Sequence, residues 1–125
     1  MHRMDTWYAD LRAMEEDDRY LQSVFGRLKA DLAPQALDRI ADTHVYPSQK
    51  CTYTIAKQRI FVKVRDQQGM LVPECALRYV LLHELAHVIN PTEGHDASFY
   101  RWMKWLGTAV SSCPDRVPRN FNPCH

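Results

Sequence analysis

Residues 83–95 read His83-Glu84-Leu85-Ala86-His87-Val88-Ile89-Asn90-Pro91-Thr92-Glu93-Gly94-His95, and the rest of the chain is organised around them. The run from Glu74 to Ile89 has the composition of a helix. Two imidazoles at i and i+4 lie one turn apart on a single helical face, where both can hold one metal ion. Glu84 points about 100° round from His83, near enough to reach a metal-bound water without ligating the metal. The pattern suits zinc-dependent hydrolysis: zinc lowers the pKa of its bound water to about 7, and the carboxylate takes the proton. Two histidines leave the protein shell one ligand short. His95 follows Asn90-Pro91 and Gly94, which can turn the chain back towards the helix, so His95 is the third candidate.

The competing reading is an amphipathic helix whose polar stripe happens to contain His and Glu. Leu81, Leu82, Leu85, Ala86, Val88 and Ile89 argue against it, because they make the helix apolar nearly all round and therefore buried. A buried stripe of two histidines and a glutamate is costly unless something satisfies it, and a metal ion does.

The 125 residues suffice for one domain with a core of its own. Apolar content of 46 % and charged content of 25 % are those of an ordinary globular chain. A net charge of +1 gives no electrostatic case for nucleic acid or membrane as the principal partner. No run of roughly 18 apolar residues exists to span a membrane, and the first residues lack an apolar signal core. An intracellular setting is expected, in the cytoplasm or nucleus of a host cell or in a virion. The four cysteines, Cys51, Cys75, Cys113 and Cys124, show no C-x-x-C spacing, so they are expected to be reduced thiols, with Cys75 a small core residue.

Met4 to Leu32 reads as helix, with Trp7, Leu11, Met14, Leu21, Val24 or Phe25, Leu28 and Leu32 forming one apolar stripe. The acidic cluster Glu15–Asp18 and Gly26 interrupt it, which leaves a bend or two helices open. Pro34 opens a short helix to Ile40. Asp42 to Gln49 reads as loop, with His44 a surface side chain. Cys51–Ala56 and Arg59–Val64 are β-branched and aromatic and predict a hairpin or two successive strands. The second run, with Ile60 and Val62, is the candidate edge strand on which an extended peptide would pair. Pro73 suits the first turn of the histidine-bearing helix, and Asn90-Pro91 ends it. Asp96 can cap a last helix, Ala97 to about Leu106, with Phe99, Trp102, Met103 and Leu106 on its apolar side. The chain thus divides into one domain over residues 1–110 and an irregular tail over 111–125.

The stretch HELAHVINPTEGHDASFYRWMKWL, residues 83–106, resembles the WLM and SprT-like zinc metallopeptidases. Those proteins carry H-E-L-x-H, a short loop, a third histidine, and an aromatic about four residues later. His83, Glu84, Leu85 and His87 match, His95 takes the third-ligand position and Phe99 the aromatic one. The likeness covers roughly Thr52 to Leu106 and is strongest with small members from large DNA viruses. It implies an α+β fold, a minimal zincin-like domain of gluzincin type whose small sheet packs on the HExxH helix between flanking helices. It also implies Zn²⁺ on His83, His87 and His95, with Glu84 as general base and protein or peptide as substrate. DNA-associated targets belong to relatives with long C-terminal extensions, and no such segment is seen here.

The metzincin spacing fails, because position 90 is Asn and the third histidine stands eight residues after His87. Glu93 and Asp96 are the other conceivable third ligands. Tyr53, Tyr79 and Tyr100 are candidates for polarising an oxyanion, and Tyr100 is also a candidate substrate contact. The expected activity is that of a zinc endopeptidase. The alternative is a zinc-stabilised binding or virion protein without turnover. A DNA-binding module resting on Lys57, Arg59, Lys63, Arg65, Arg101 and Lys104 is the third reading.

Overall fold

The computed structural model describes the backbone of residues 2–91, 95–110 and 113, with side chains from residue 14 onward. Among the described residues, four helices and a small sheet make an α+β domain: α1 (His2–Ala30), α2 (Pro34–Arg39), β1 (His44–Pro47), β2 (Tyr53–Ile55), β3 (Arg59–Val62), α3 (Glu74–Ile89) and α4 (Ala97–Leu106). A 3₁₀ turn, Gly107–Val110, follows α4.

The α3 helix is the centre of the packing. Its apolar residues face several directions, and it contacts α1, α4, β2, β3 and the 3₁₀ turn. Leu77, Leu81 and Leu85 are fully buried among Leu21, Val24 and Leu28 of α1 and Val45, Ile60 and Val62 of the sheet. Its first turn is tied down by charge. Arg27 donates to Glu74 at 2.6 Å, and Arg78, itself buried, reaches Asp31 at 2.8 Å, Glu74 and the Ala109 carbonyl. The Arg27 hydrogen bond, helped by that of Arg78, holds the Glu74 carboxyl below the usual carboxylate range.

The strand order is β1-β3-β2, with β1 parallel and β2 antiparallel to β3. The expected loop over Asp42–Gln49 therefore contains a strand. Only Val45 of β1 is buried, so four residues ending in proline carry almost no period-2 signal. A correction of larger consequence concerns β3. It is the central strand, and Ile60 and Val62 are wholly buried on its core face, so neither lies at an edge nor can touch a substrate. Among the described strands, β2 is the edge strand that packs on α3.

The β2–β3 hairpin turns through Ala56 and Lys57, both left-handed at φ 54° and 56°, with Gln58 N–H bonded to the Ile55 carbonyl. Left-handed backbone costs a non-glycine residue roughly 1–2 kcal/mol. The Lys57 ammonium donates to the Asn90 carbonyl at the negative end of α3, which anchors the turn.

Helix α1 runs unbroken through Gly26. Asp17 of the acidic cluster is buried against Arg65 at 2.8 Å, and Met14 is exposed instead of joining the apolar stripe. The expected roles of Trp7 and Leu11 lie outside the described side chains. Glu93 and all of the tail except Cys113 lie outside the described residues. The reduced-thiol expectation is overturned. Packing of the 3₁₀ turn on α3 brings Cys75 and Cys113, 38 residues apart in sequence, to a Cα separation of 5.7 Å, and they form a disulfide. Cys51 is disulfide-bonded as well.

Candidate metal centre and active-site cleft

His83 and His87 project from one face of α3, with ring centroids 5.0 Å apart. The His95 ring stands 5.1 Å from His83 and 4.8 Å from His87. One ligand atom from each of the three lies within 4.8 Å of the others, close enough to hold a metal ion. The Nε2 atoms of His83 and His95 are 3.3 Å apart. Beneath the cluster sits Phe99, 1 % exposed, its ring 4.5–5.2 Å from all three imidazoles. An aromatic there fixes the ring orientations by contact and keeps water from the rear of the site.

The position of His95 is set by caps. Asn90 ends α3, with its N–H bonded to the Ala86 carbonyl and its side chain fully buried. Its Nδ2 donates to Asp96 Oδ1 at 3.3 Å, and the same oxygen accepts the Phe99 N–H at 2.9 Å to cap α4. The end of one helix is thereby linked to the start of the next, directly beside His95. Asp96 is engaged as a cap, as the sequence predicts, and does not belong to the three-histidine group.

Glu84 is completely buried, and the Thr54 hydroxyl of β2 donates to its Oε2 at 2.6 Å. A hydrogen bond of this length to a buried carboxylate fixes its rotamer. Sequence reasoning missed Thr54, since a threonine in a short strand is ordinary. Its one signal is the pleat: Thr54 points to the face of β2 opposite Tyr53.

Beside the histidines a cleft of about 510 Å³ opens between α3 and α4, lined by Tyr79, Leu82, His83, His95, Phe99, Tyr100, Met103, Lys104 and Gly107. Tyr100 stands on its rim, 61 % exposed. Tyr79 is half-buried in the wall. Tyr53 is turned elsewhere and stacks on Phe61, which also stacks on Tyr46. His44 is exposed at the start of β1 and outside the histidine group. The suggested basic set is divided between the β2–β3 hairpin with the residues after it and α4. Lys57 is spent on Asn90 and Arg65 on Asp17 and Glu16, while Arg101 and Lys104 lie on α4. No described helix is long and apolar enough to cross a membrane. Neither a family model, nor a characterised protein, nor a solved structure matches the chain.

Proposed function

We propose that this chain is a zinc-dependent endopeptidase of WLM/SprT-like, minimal gluzincin type. The observation that carries the reading is that three histidine nitrogens converge beside α3 while Glu84, next to His83 on that helix, is buried and held by Thr54. The donor set suits zinc, which favours imidazole in a tetrahedral shell. Zinc–nitrogen bonds of about 2.0–2.1 Å at tetrahedral angles set nitrogens about 3.3–3.4 Å apart; the His83–His95 pair stands at 3.3 Å, and one nitrogen from each of the three lies within 4.8 Å of the others. Bound there, zinc would supply a Lewis acid that polarises the scissile carbonyl and makes water acidic near neutral pH.

The chain's own residues do the rest. Glu84 Oε1 takes a proton from the attacking water while Thr54 holds Oε2. The water oxygen bonds to the carbonyl carbon, the carbon–nitrogen bond breaks, and Glu84 returns the proton to the leaving amine. An extended substrate pairs its backbone with the outer edge of β2, which brings it over Thr54 and Glu84. Tyr100, on the cleft rim, is placed to touch it. The bonded state of Cys51, Cys75 and Cys113 favours a place of action where thiols are oxidised, which a virion meets and a reducing cytosol does not.

The second reading, a zinc-stabilised binding domain, accounts for the histidines but leaves Glu84 and its threonine without a task. Metal content and cleavage of casein and histone, measured together on wild type and Glu84→Gln, separate the two. About one zinc in each, with turnover about 10²–10⁴-fold lower in the variant, is the expected result. Zinc in both with no cleavage by wild type leaves the binding domain.

A further inference from the structure

Helix α4 carries a face for which hydrolysis has no use. At about 100° per residue, Ser98, Arg101, Trp102 and Trp105 fall at i, i+3, i+4 and i+7 on one flank of α4, away from Tyr100, Met103 and Lys104 on the flank beside the histidines. The four line an open cavity of about 260 Å³, with room for one large side chain. The Trp102 and Trp105 rings meet edge to face with centroids 5.3 Å apart, and the Arg39 guanidinium of α2 lies 4.9 Å from the centre of the Trp102 ring. Trp102 packs partly on the core, whereas Trp105 is 37 % exposed. Arg101 is exposed and has no ion pair or hydrogen bond among the described residues. We propose that this face docks an acidic peptide segment of a partner protein. A Leu or Phe side chain of the segment enters between the indoles, and flanking Asp or Glu side chains pair with Arg101 and Arg39.

An exposed tryptophan alone would carry no argument, since more than half of any folded surface is apolar. Here the indoles are held in place before anything binds: Arg39 fixes the Trp102 ring and Trp102 the Trp105 ring, so docking loses little side-chain entropy. Tryptophan and arginine are also the residue types that carry most of the energy in protein interfaces. Charge then selects the occupant. Arg101 is the one charged residue of the lining, Arg39 adds a second guanidinium against Trp102, and Asp38 beside it in sequence does not line the cavity. Guanidinium groups pair bidentately with carboxylates, and a cationic segment is repelled. A second copy of this chain fits less well, because a two-fold contact centred on this stripe sets Arg101 against its own counterpart. An anionic bilayer supplies charge but no protruding side chain to fill the cavity. The inference is independent of the endopeptidase reading, and a segment bound on this flank leaves the histidines accessible.

The test uses the full chain carrying Glu84→Gln, so that no peptide is consumed. Three labelled peptides are titrated by fluorescence anisotropy: Asp-Asp-Leu-Phe-Glu-Glu, Lys-Lys-Leu-Phe-Lys-Lys and Asp-Asp-Gly-Gly-Glu-Glu. The first is expected to bind about tenfold or more tightly than either of the others, and to weaken as salt rises. Adding Arg101→Glu or Trp105→Ala should each lower its affinity by about tenfold or more, while Arg101→Lys, which keeps the charge, loses less. Thermal melting checks that the variants fold. Should Trp105→Ala fail to fold, Arg101→Glu carries the test, because that side chain is exposed and unpaired among the described residues. Equal affinity for the three peptides, or an unchanged affinity in Arg101→Glu, overturns the proposal. Binding to phosphatidylserine vesicles without binding to the acidic peptide, lost in Trp105→Ala, overturns it in favour of a lipid surface. A dimer in analytical ultracentrifugation that Trp105→Ala dissociates, again without peptide binding, overturns it in favour of a second copy.

Discussion

Two of the three histidines and the third reach the same point by different physical means. His83 and His87 belong to a helix enclosed by α1, the sheet and α4, anchored at its first turn by the Glu74–Arg27–Arg78–Asp31 network and by Cys75–Cys113. Their separation is a property of helical periodicity, which packing makes rigid. His95 is exposed and stands just before α4, located by the Asn90–Asp96 hydrogen bond and the α4 cap. A core fixes the first pair, and a few hydrogen bonds fix the third histidine. The difference teaches where the site is stiff and where it can be loosened.

The largest expected effect tests that asymmetry directly. Structural zinc is worth about 10–16 kcal/mol in small domains, so one of three protein ligands accounts for on the order of 3–5 kcal/mol. His87→Ala is expected to lose zinc at micromolar metal, because the helix cannot shift another donor into the gap. His95→Ala should retain weaker binding, since water enters readily at an exposed position. Competition with a chromophoric chelator measures both affinities. Equal losses, or a larger one in His95→Ala, would break the comparison and make the loop ligand as rigid as the helix.

The same contrast explains what could be read from the sequence. Helix α3 was legible because its apolar residues, its histidine spacing and Asn90-Pro91 all agree. Phe99 and the Asp96 cap were legible from local chemistry. The sheet was not, because its information is non-local. Strand β1 is a strand only through parallel pairing with β3, and Ile60 and Val62 look the same on a central strand as on an edge one. The Ala56-Lys57 turn lacks the Asn-Gly or Asp-Gly that marks such turns, and its anchor at Asn90 is 33 residues away in sequence. Thr54 reaches Glu84 across 30 residues. The disulfide escaped notice for the same reason, since spacing arguments find pairs within a motif and not pairs that packing brings together.

Removing that disulfide sharpens the comparison from the stability side. Cys75→Ala/Cys113→Ala is expected to cost about 2–4 kcal/mol in urea unfolding of the metal-free chain. Zinc affinity should change by less than about threefold, because the bond holds α3 at its second residue, two turns before His83, and the core keeps the histidines in place. A loss of zinc affinity as large as the loss of stability would show that α3 is held mainly by the crosslink, and the rigid half of the site would then be less rigid than its burial implies.

The smallest effect bears on the loop half. Asn90→Ala keeps the backbone carbonyl that receives Lys57 and removes the Nδ2 bond to Asp96. Partners behind the ligands of a metal site are typically worth about 10–100-fold in affinity, and that loss is expected here. Lys57→Met gives the control, because it frees the hairpin turn and leaves the Asn90–Asp96 bond intact; its effect on zinc should be smaller than that of Asn90→Ala. Chelator competition and thermal melting of the metal-free proteins, run side by side, separate positioning from stability. If Asn90→Ala lowers the melting temperature but leaves zinc affinity within about twofold, the clamp is structural only, and the placement of His95 rests on its contact with Phe99.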